Sequence, residues 1–278
     1  GIGLIFQTAY YLVDLYFVGH LGAAAIAGVG LSGIAFFLAM ALGQMVGVGA
    51  LSLIARAIGA KKPEEADGVY RQTLLLSLAP ALIVLAGGYL VASPAMGTLA
   101  ADEATHHQAT LYLYGFIPAL ALMFPTGAMS AALRAAGVVR QPMFVQTAAV
   151  LINIILAPVL IAGWGTGVPL GAFGAGLASS LAALVGLIAF ALMFDRVRTL
   201  IRQPFRLDRL DLGLSRRIID IGLPSAGEFA LMFLTGLVVY GVIARFGPDA
   251  QAGYGVGSRV MQAIFLPAMA IAFAVAPV

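Results

Sequence analysis

The chain has 278 residues, 62% of them hydrophobic and 10% charged, with a formal net charge of +3 and no cysteine; its mean hydropathy is +1.02. A water-soluble domain of this size needs a charged exterior, so the composition excludes one and makes lipid the solvent for most of the surface. The lack of cysteine excludes disulfides, thiol catalysis and Cys-ligated metal, and so small a net charge gives no sign of a nucleic-acid partner.

A helix needs about 20 mainly apolar residues to cross a bilayer. Eight stretches qualify in chain order: 1–18, 29–58, 70–92, 109–135, 143–162, 173–194, 218–244 and 254–278. They are continuous rather than alternating with period two, which predicts an all-α polytopic membrane protein and not a barrel. Thirteen of the fifteen Lys and Arg residues fall in three clusters, at 56–71, 134–140 and 196–217. These follow spans 2, 4 and 6. The positive-inside rule then places the N-terminus in the cytoplasm of a cell (inner) membrane, and the 93–107 and 163–172 loops outside.

The first span carries an acid, Asp14. At 100° per residue, Gln7 and Tyr10 lie about 20° and 40° from it, so the three form one polar stripe two turns tall. Ionisable groups inside spans are costly, and a carboxyl between Tyr hydroxyls and apolar walls suits a proton or a cation. The other reading is an acid at the outer water boundary. Next, 28–33 matches GxGxxG, but it opens an apolar helix and follows no strand, so it does not predict dinucleotide binding. Gly43 and Gly47 form GxxxG, which predicts close helix packing. His106 and His107 lie in an expected outside loop with no third ligand at useful spacing, so no metal site is expected. Pro80, Pro118, Pro125, Pro158 and Pro267 are expected to interrupt spans. In span 5, Asn153 needs a partner, either across a helix interface or at the site of Asp14. Ser179 and Ser180 in span 6 suit packing or back-bonding. In span 7, Pro224 is expected in a first turn, with Glu228 one turn into the membrane. Glu228 is then either an acid favoured by the helix dipole or a carboxylate for a cationic substrate. Arg259 in span 8 is left with a buried and a surface placement.

The chain also repeats itself. With an offset of 225, Gly22, Ala25, Ala27, Gly28 and Gly30 match Gly247, Ala250, Ala252, Gly253 and Gly255. Six spans separate the copies, an even number, so both cross in the same direction and the repeats are parallel. The expected organisation is a six-helix N-terminal lobe at 1–195, a cytoplasmic linker at 196–217, and the start of a C-terminal lobe at 218–278. The second copy has only two spans, which suggests a fragment lacking about four, cut at both ends.

These residues resemble the multidrug and toxic compound extrusion (MATE) transporters. The stretch 7–22, ending VDLYFVGHLG, is similar to their first helix. AIGA at 57–60 looks like the turn from their second helix to their third. LRAAG at 133–137, QPM at 141–143 and NIIL at 153–156 look like their fourth-to-fifth helix region. GAGLAS at 174–179 and IGLP at 221–224 are similar to the starts of their sixth and seventh helices. The resemblance implies twelve helices in two lobes. It implies a secondary antiporter that exports amphiphilic, often cationic, drugs or metabolites against inward H+ or Na+ by alternating access. It places a cation or proton site at Asp14, Tyr10, Gln7, Asn153 and Ser179. The family often has an Asp four residues after the helix-five Asn, where this chain has Ala157. Sodium wants five or six oxygens and a proton one carboxyl, so the departure favours H+. Some members also carry a Glu about one turn past Glu228, where this chain has Leu231 and Met232. Glu228, Met232, Phe233, Phe36 and Phe37, with Met123 and Phe124, are candidates to line a substrate cavity, since aromatic and Met side chains adapt to varied ligands. A monomer is expected, with no cofactor and no enzymatic activity, since no cluster of His, Glu or Asp sits at one depth. The alternative function is a flippase for lipid-linked saccharide of the same superfamily, which would be expected to line its cavity with Arg.

Overall fold

The computed structural model describes residues 16–165, 167–194 and 211–275, with side chains described to 261 and at 264. After a helical end at 16–19, the elements are α1 (Ala23–Ser32), α2 (Ile34–Gly59), α3 (Pro63–Leu99), α4 (Glu103–Ala135), α5 (Arg140–Ile161), α6 (Gly171–Phe194), α7 (Leu212–Ile243), a 3-10 turn (Ala244–Phe246) and α8 (Pro248–Val275). The chain is an all-helical multi-pass membrane protein. Among the described residues, six helical segments are long and apolar enough to cross a bilayer, α1 and α2 together forming one of them.

Several expected boundaries move. The 93–107 loop is a correction: α3 runs to Leu99 and α4 starts at Glu103, leaving a three-residue turn. Asp102 caps α4 by accepting from Thr105 N at 2.8 Å, and His106 reaches back to Ser93 O at 2.9 Å. The polar residues there finish helices instead of interrupting them. The prolines are a second correction. α3 continues through Pro80 and Pro94, α4 through Pro118 and Pro125, and α5 through Pro158. The break in span 2 comes at Gly33 instead, between α1 and α2.

Pro118 shows how a proline is absorbed. It has no N–H, so Tyr114 O loses its usual helical partner. The Tyr89 hydroxyl of α3 donates to that oxygen at 3.0 Å. One rung further, Ser180 Oγ of α6 accepts from Ala119 N at 3.0 Å and donates to Gly115 O at 2.6 Å. An unkinked helix would join that N–H and that carbonyl directly. Neighbouring helices thus satisfy the backbone that the proline disturbs.

Glycines set the closest crossings. A Cβ on Gly115 would overlap Phe173 O, and one on Gly176 would overlap Tyr112 O, so α4 and α6 touch backbone to backbone. Between α2 and α7, a Cβ on Gly49 would meet Ile218 O, and one on Gly222 would meet Met45 O. The GxxxG expectation is corrected here: Gly47 has nothing within 4 Å and Gly43 only the tip of Met123, so the close approach belongs to Gly49. The GxGxxG glycines are also packing positions, Gly28 lying against Ala109 N of α4 at 2.6 Å from an ideal Cβ.

The repeat is visible in backbone geometry. Gly22 and Gly247 precede α1 and α8 with φ 101° and 93° and the same ψ of 174°. A positive φ of that size favours glycine. Gly30 and Gly255, also 225 apart, meet each other: an ideal Cβ on Gly30 lies 3.2 Å from Gly255 Cα. Contact between equivalent positions is what a local two-fold axis passing between them would give.

Candidate functional site

Helices α5 and α6 carry the polar pair that the sequence places in spans 5 and 6. Asn153 is buried on α5. Its Nδ2 donates to Ser179 Oγ at 3.0 Å, and Ser179 donates back to Ala175 O of its own helix at 3.4 Å. The two residues expected to share a site are therefore brought together. Gln7, Tyr10 and Asp14 lie outside the described residues.

One turn toward the sparsely charged end, the surroundings become apolar. Ala157, four residues after Asn153, and Ala175, four before Ser179, share one buried cluster with Val18, Ala25, Val29, Tyr112, Ile161 and Ala172. Ala157 is buried among these groups, and its methyl side chain offers no oxygen to a cation. Val18 belongs to the end of the first helix, four residues after Asp14. The Asn153 amide and Ser179 hydroxyl can present oxygens to a small cation or order a proton-carrying group. They hold no formal charge themselves.

The candidate cavity residues separate into two groups. Phe36 of α2, Met123 of α4 and Phe233 of α7 are partly buried against one cluster that includes Leu31, Ile34, Leu120, Phe124 and Tyr240. Phe36 and Phe37 meet edge to face with ring centroids 6.1 Å apart. Phe124 is buried in that cluster.

Glu228 and Met232 lie one turn apart on α7, about 100–140° around the helix from Phe233. Both are exposed, and Glu228 makes no hydrogen bond or ion pair among the described residues. Its expected place in a first helical turn is a correction. α7 starts at Leu212, where Asp211 Oδ1 accepts from Gly213 N at 2.9 Å and Leu214 N at 3.1 Å. Glu228 is therefore near the middle of a 32-residue helix, and Pro224 is interior. The helix dipole fades within the first turn, so it does not account for this acid.

Three polar contacts were not legible as such in the sequence. Ser180 bridges α6 to the Pro118 rung. Gln72 of α3 accepts from Asp211 N at 2.9 Å at the basic end. Gln251 of α8 joins Leu99, Ala101 and Tyr240 at the other end. Each depends on which helix packs against which, and residue type alone carries no such signal.

Comparison with known proteins agrees with this architecture. The family model described as MatE matches residues 1–159. A Shewanella oneidensis protein named "FAD transporter" is 27% identical over 280 residues, covering 99% of this chain and 61% of that protein. "Multidrug export protein MepA" of Staphylococcus aureus is 30% identical over 266 residues, covering 94% and 57%. Among solved structures, the inward-facing conformation of a multidrug resistance MATE family transporter of the MOP superfamily matches with TM-score 0.85 at 25% identity, over 94% of this chain and 59% of that one. The outward-facing conformation of a multidrug resistance MATE family transporter of that superfamily gives 0.79 at 26% identity, over 96% and 59%. The chain spans about three fifths of the length of the curated relatives it matches.

Proposed function

The chain belongs to the MatE family, and on that premise we propose that it is the N-terminal lobe and first C-terminal helices of a secondary antiporter. The whole protein exports amphiphilic, often cationic, compounds in exchange for inward H+, with Na+ as the alternative coupling ion, by rocking two lobes against each other to give alternating access. The names of the relatives, a multidrug export protein and a FAD transporter, support a transported small molecule.

The observation that carries the reading is the Asn153–Ser179 pair. It lies one helical turn from the apolar cluster that Val18 also enters. Asp14 precedes Val18 by the same four residues, and the proposal is that its carboxyl completes the site with Tyr10 and Gln7. Asn153 and Ser179 then orient a carboxyl that takes up a proton on one side and releases it on the other. Ala157 removes the second carboxylate a sodium cage would use, which favours a proton. Phe36, Met123 and Phe233 form an adaptable apolar wall between the lobes, and Glu228 and Met232 offer a second face for a cationic substrate.

The test is counterflow of a cationic amphiphile in proteoliposomes of the full-length protein, comparing wild type with Asp14→Asn under imposed proton or sodium gradients. Loss of gradient-driven movement is the expected result. Normal export by Asp14→Asn under both gradients overturns the coupling assignment.

A further inference from the structure

Gln251 is fully buried in the first turn of α8. Its side chain is used at both ends. Oε1 accepts from Ala101 N at 3.0 Å, and Nε2 donates to Leu99 O at 2.8 Å and to Tyr240 O at 3.3 Å. Leu99 ends α3 and Ala101 lies in the turn before α4, so both belong to the N-terminal lobe. Leu99 O is one of the last carbonyls of its helix, which that helix cannot satisfy. A residue of the C-terminal lobe thus caps a helix of the N-terminal lobe.

The repeat shows that the fold does not need a glutamine there. At the offset of 225 the equivalent residue is Ile26, which occupies the same turn of α1 with an apolar side chain. Beside Gln251, Tyr240 is buried between the lobes against the cluster of Leu31, Met96, Leu99 and Ala100. An ideal Cβ on Gly30 would lie 2.6 Å from the Tyr240 hydroxyl. The lobes are therefore shut at this sparsely charged end by an apolar plug with one polar clasp. They also touch at the basic end, at Gly49 with Ile218 and Gly222 with Met45.

Such a clasp suits repeated opening. If the lobes part, Leu99 O, Ala101 N and the amide all gain water, so each hydrogen bond is exchanged and not simply lost. An apolar residue would leave two N-terminal-lobe backbone groups unsatisfied in the closed state.

We infer that Gln251 is the latch of the gate at the sparsely charged end, and that its hold on Leu99 and Ala101 breaks each time the pathway opens there. This rests on the alternating-access reading above. Gln251 is a positioning residue: it sets the ratio of closed to open protein and touches neither substrate nor ion.

The experiment places spin labels at Glu103 and Phe246, exposed positions on either side of the clasp. It uses the full-length protein in nanodiscs, with any cysteine outside this chain replaced; this chain has none. Gln251→Leu removes three hydrogen bonds and is expected to raise the long-distance population about tenfold or more relative to the short one. Gln251→Glu keeps the acceptor for Ala101 N and loses the donations when ionised, so it falls between. Folded Gln251→Leu protein with an unchanged distance distribution overturns the latch. Should neither variant fold, hydrogen exchange at the Ala101 amide of the unsubstituted protein decides. It must rise in step with the long-distance population, and continued protection while the labels separate overturns the latch. Two populations unmoved by Gln251→Leu sink the latch alone. A single distance under every gradient sinks alternating access and the latch together.

Discussion

Replacing Ser180 by Ala tests how α4 tolerates Pro118. Ser180 is buried, and its hydroxyl makes two bonds to the backbone of α4, from Ala119 N at 3.0 Å and to Gly115 O at 2.6 Å. Interhelical hydrogen bonds in membranes average about 0.6 kcal/mol, and bonds in water-soluble interiors about 1 ± 0.5 kcal/mol. Two such bonds give an expected loss of about 1–3 kcal/mol. The gap cannot simply close, because the Pro118 ring crowds Tyr114 O and keeps this turn open. That adds a second expectation. With Pro118→Ala in place, Ala119 N and Gly115 O can pair directly, and Ser180→Ala then costs little. The assay is unfolding of the purified protein in mixed micelles for wild type, both single variants and the double variant, read as a double-mutant cycle. A coupling energy of at least about 0.5 kcal/mol is expected. Equal costs of Ser180→Ala in both backgrounds would refute the bridging argument, since the hydroxyl would then be acting independently of the proline.

Three further outcomes follow from the same geometry. Gly222→Val places a side chain on Met45 O at the α2–α7 crossing, where overpacking costs typically about 1–3 kcal/mol or more; the thermal midpoint should fall, and an unchanged midpoint contradicts the crossing. Gly47→Ala, by contrast, enters open space on α2 and should raise that midpoint, since alanine is favoured over glycine by about 1 kcal/mol in a helix interior. Asn153→Ala removes the bond to Ser179 and should lower gradient-driven transport by about tenfold, the equivalent of one hydrogen bond, while leaving folded yield near wild type. Unchanged transport would separate the pair from the coupling site.

How far the sequence could be read depends on the kind of signal. The all-helical membrane class and the repeated loop rest on local pattern, and they were legible: six segments among the described residues can span a bilayer, and Gly22 and Gly247 share both position and backbone conformation. Asn153 was legible as a buried amide needing a partner, and Ser179 as a residue of the same expected site. Helix ends were harder, because hydropathy marks where lipid begins and not where hydrogen bonding ends. The polar stretch after span 3 reads as a loop in sequence, although Asp102 caps α4 there and His106 reaches back to α3. Hydropathy starts span 7 at 218, although Asp211 starts its helix, and that difference carries Glu228 from a first turn to mid-helix. Pair-specific packing was not legible at all. Nothing local distinguishes Gly47 from Gly49, yet of the two only Gly49 lies against α7. Ser180 and Gln251 likewise acquire their roles from helices distant in sequence.

The central proposal is that the full-length protein couples an ion gradient to export. It is met most directly by loading proteoliposomes of the full-length protein with a fluorescent cationic amphiphile at equal concentration inside and out, then imposing a proton gradient. The account predicts net movement of the amphiphile against its own developing gradient, opposite in direction to the protons and abolished by a proton ionophore. Movement that is only downhill, and indifferent to both proton and sodium gradients, would contradict it.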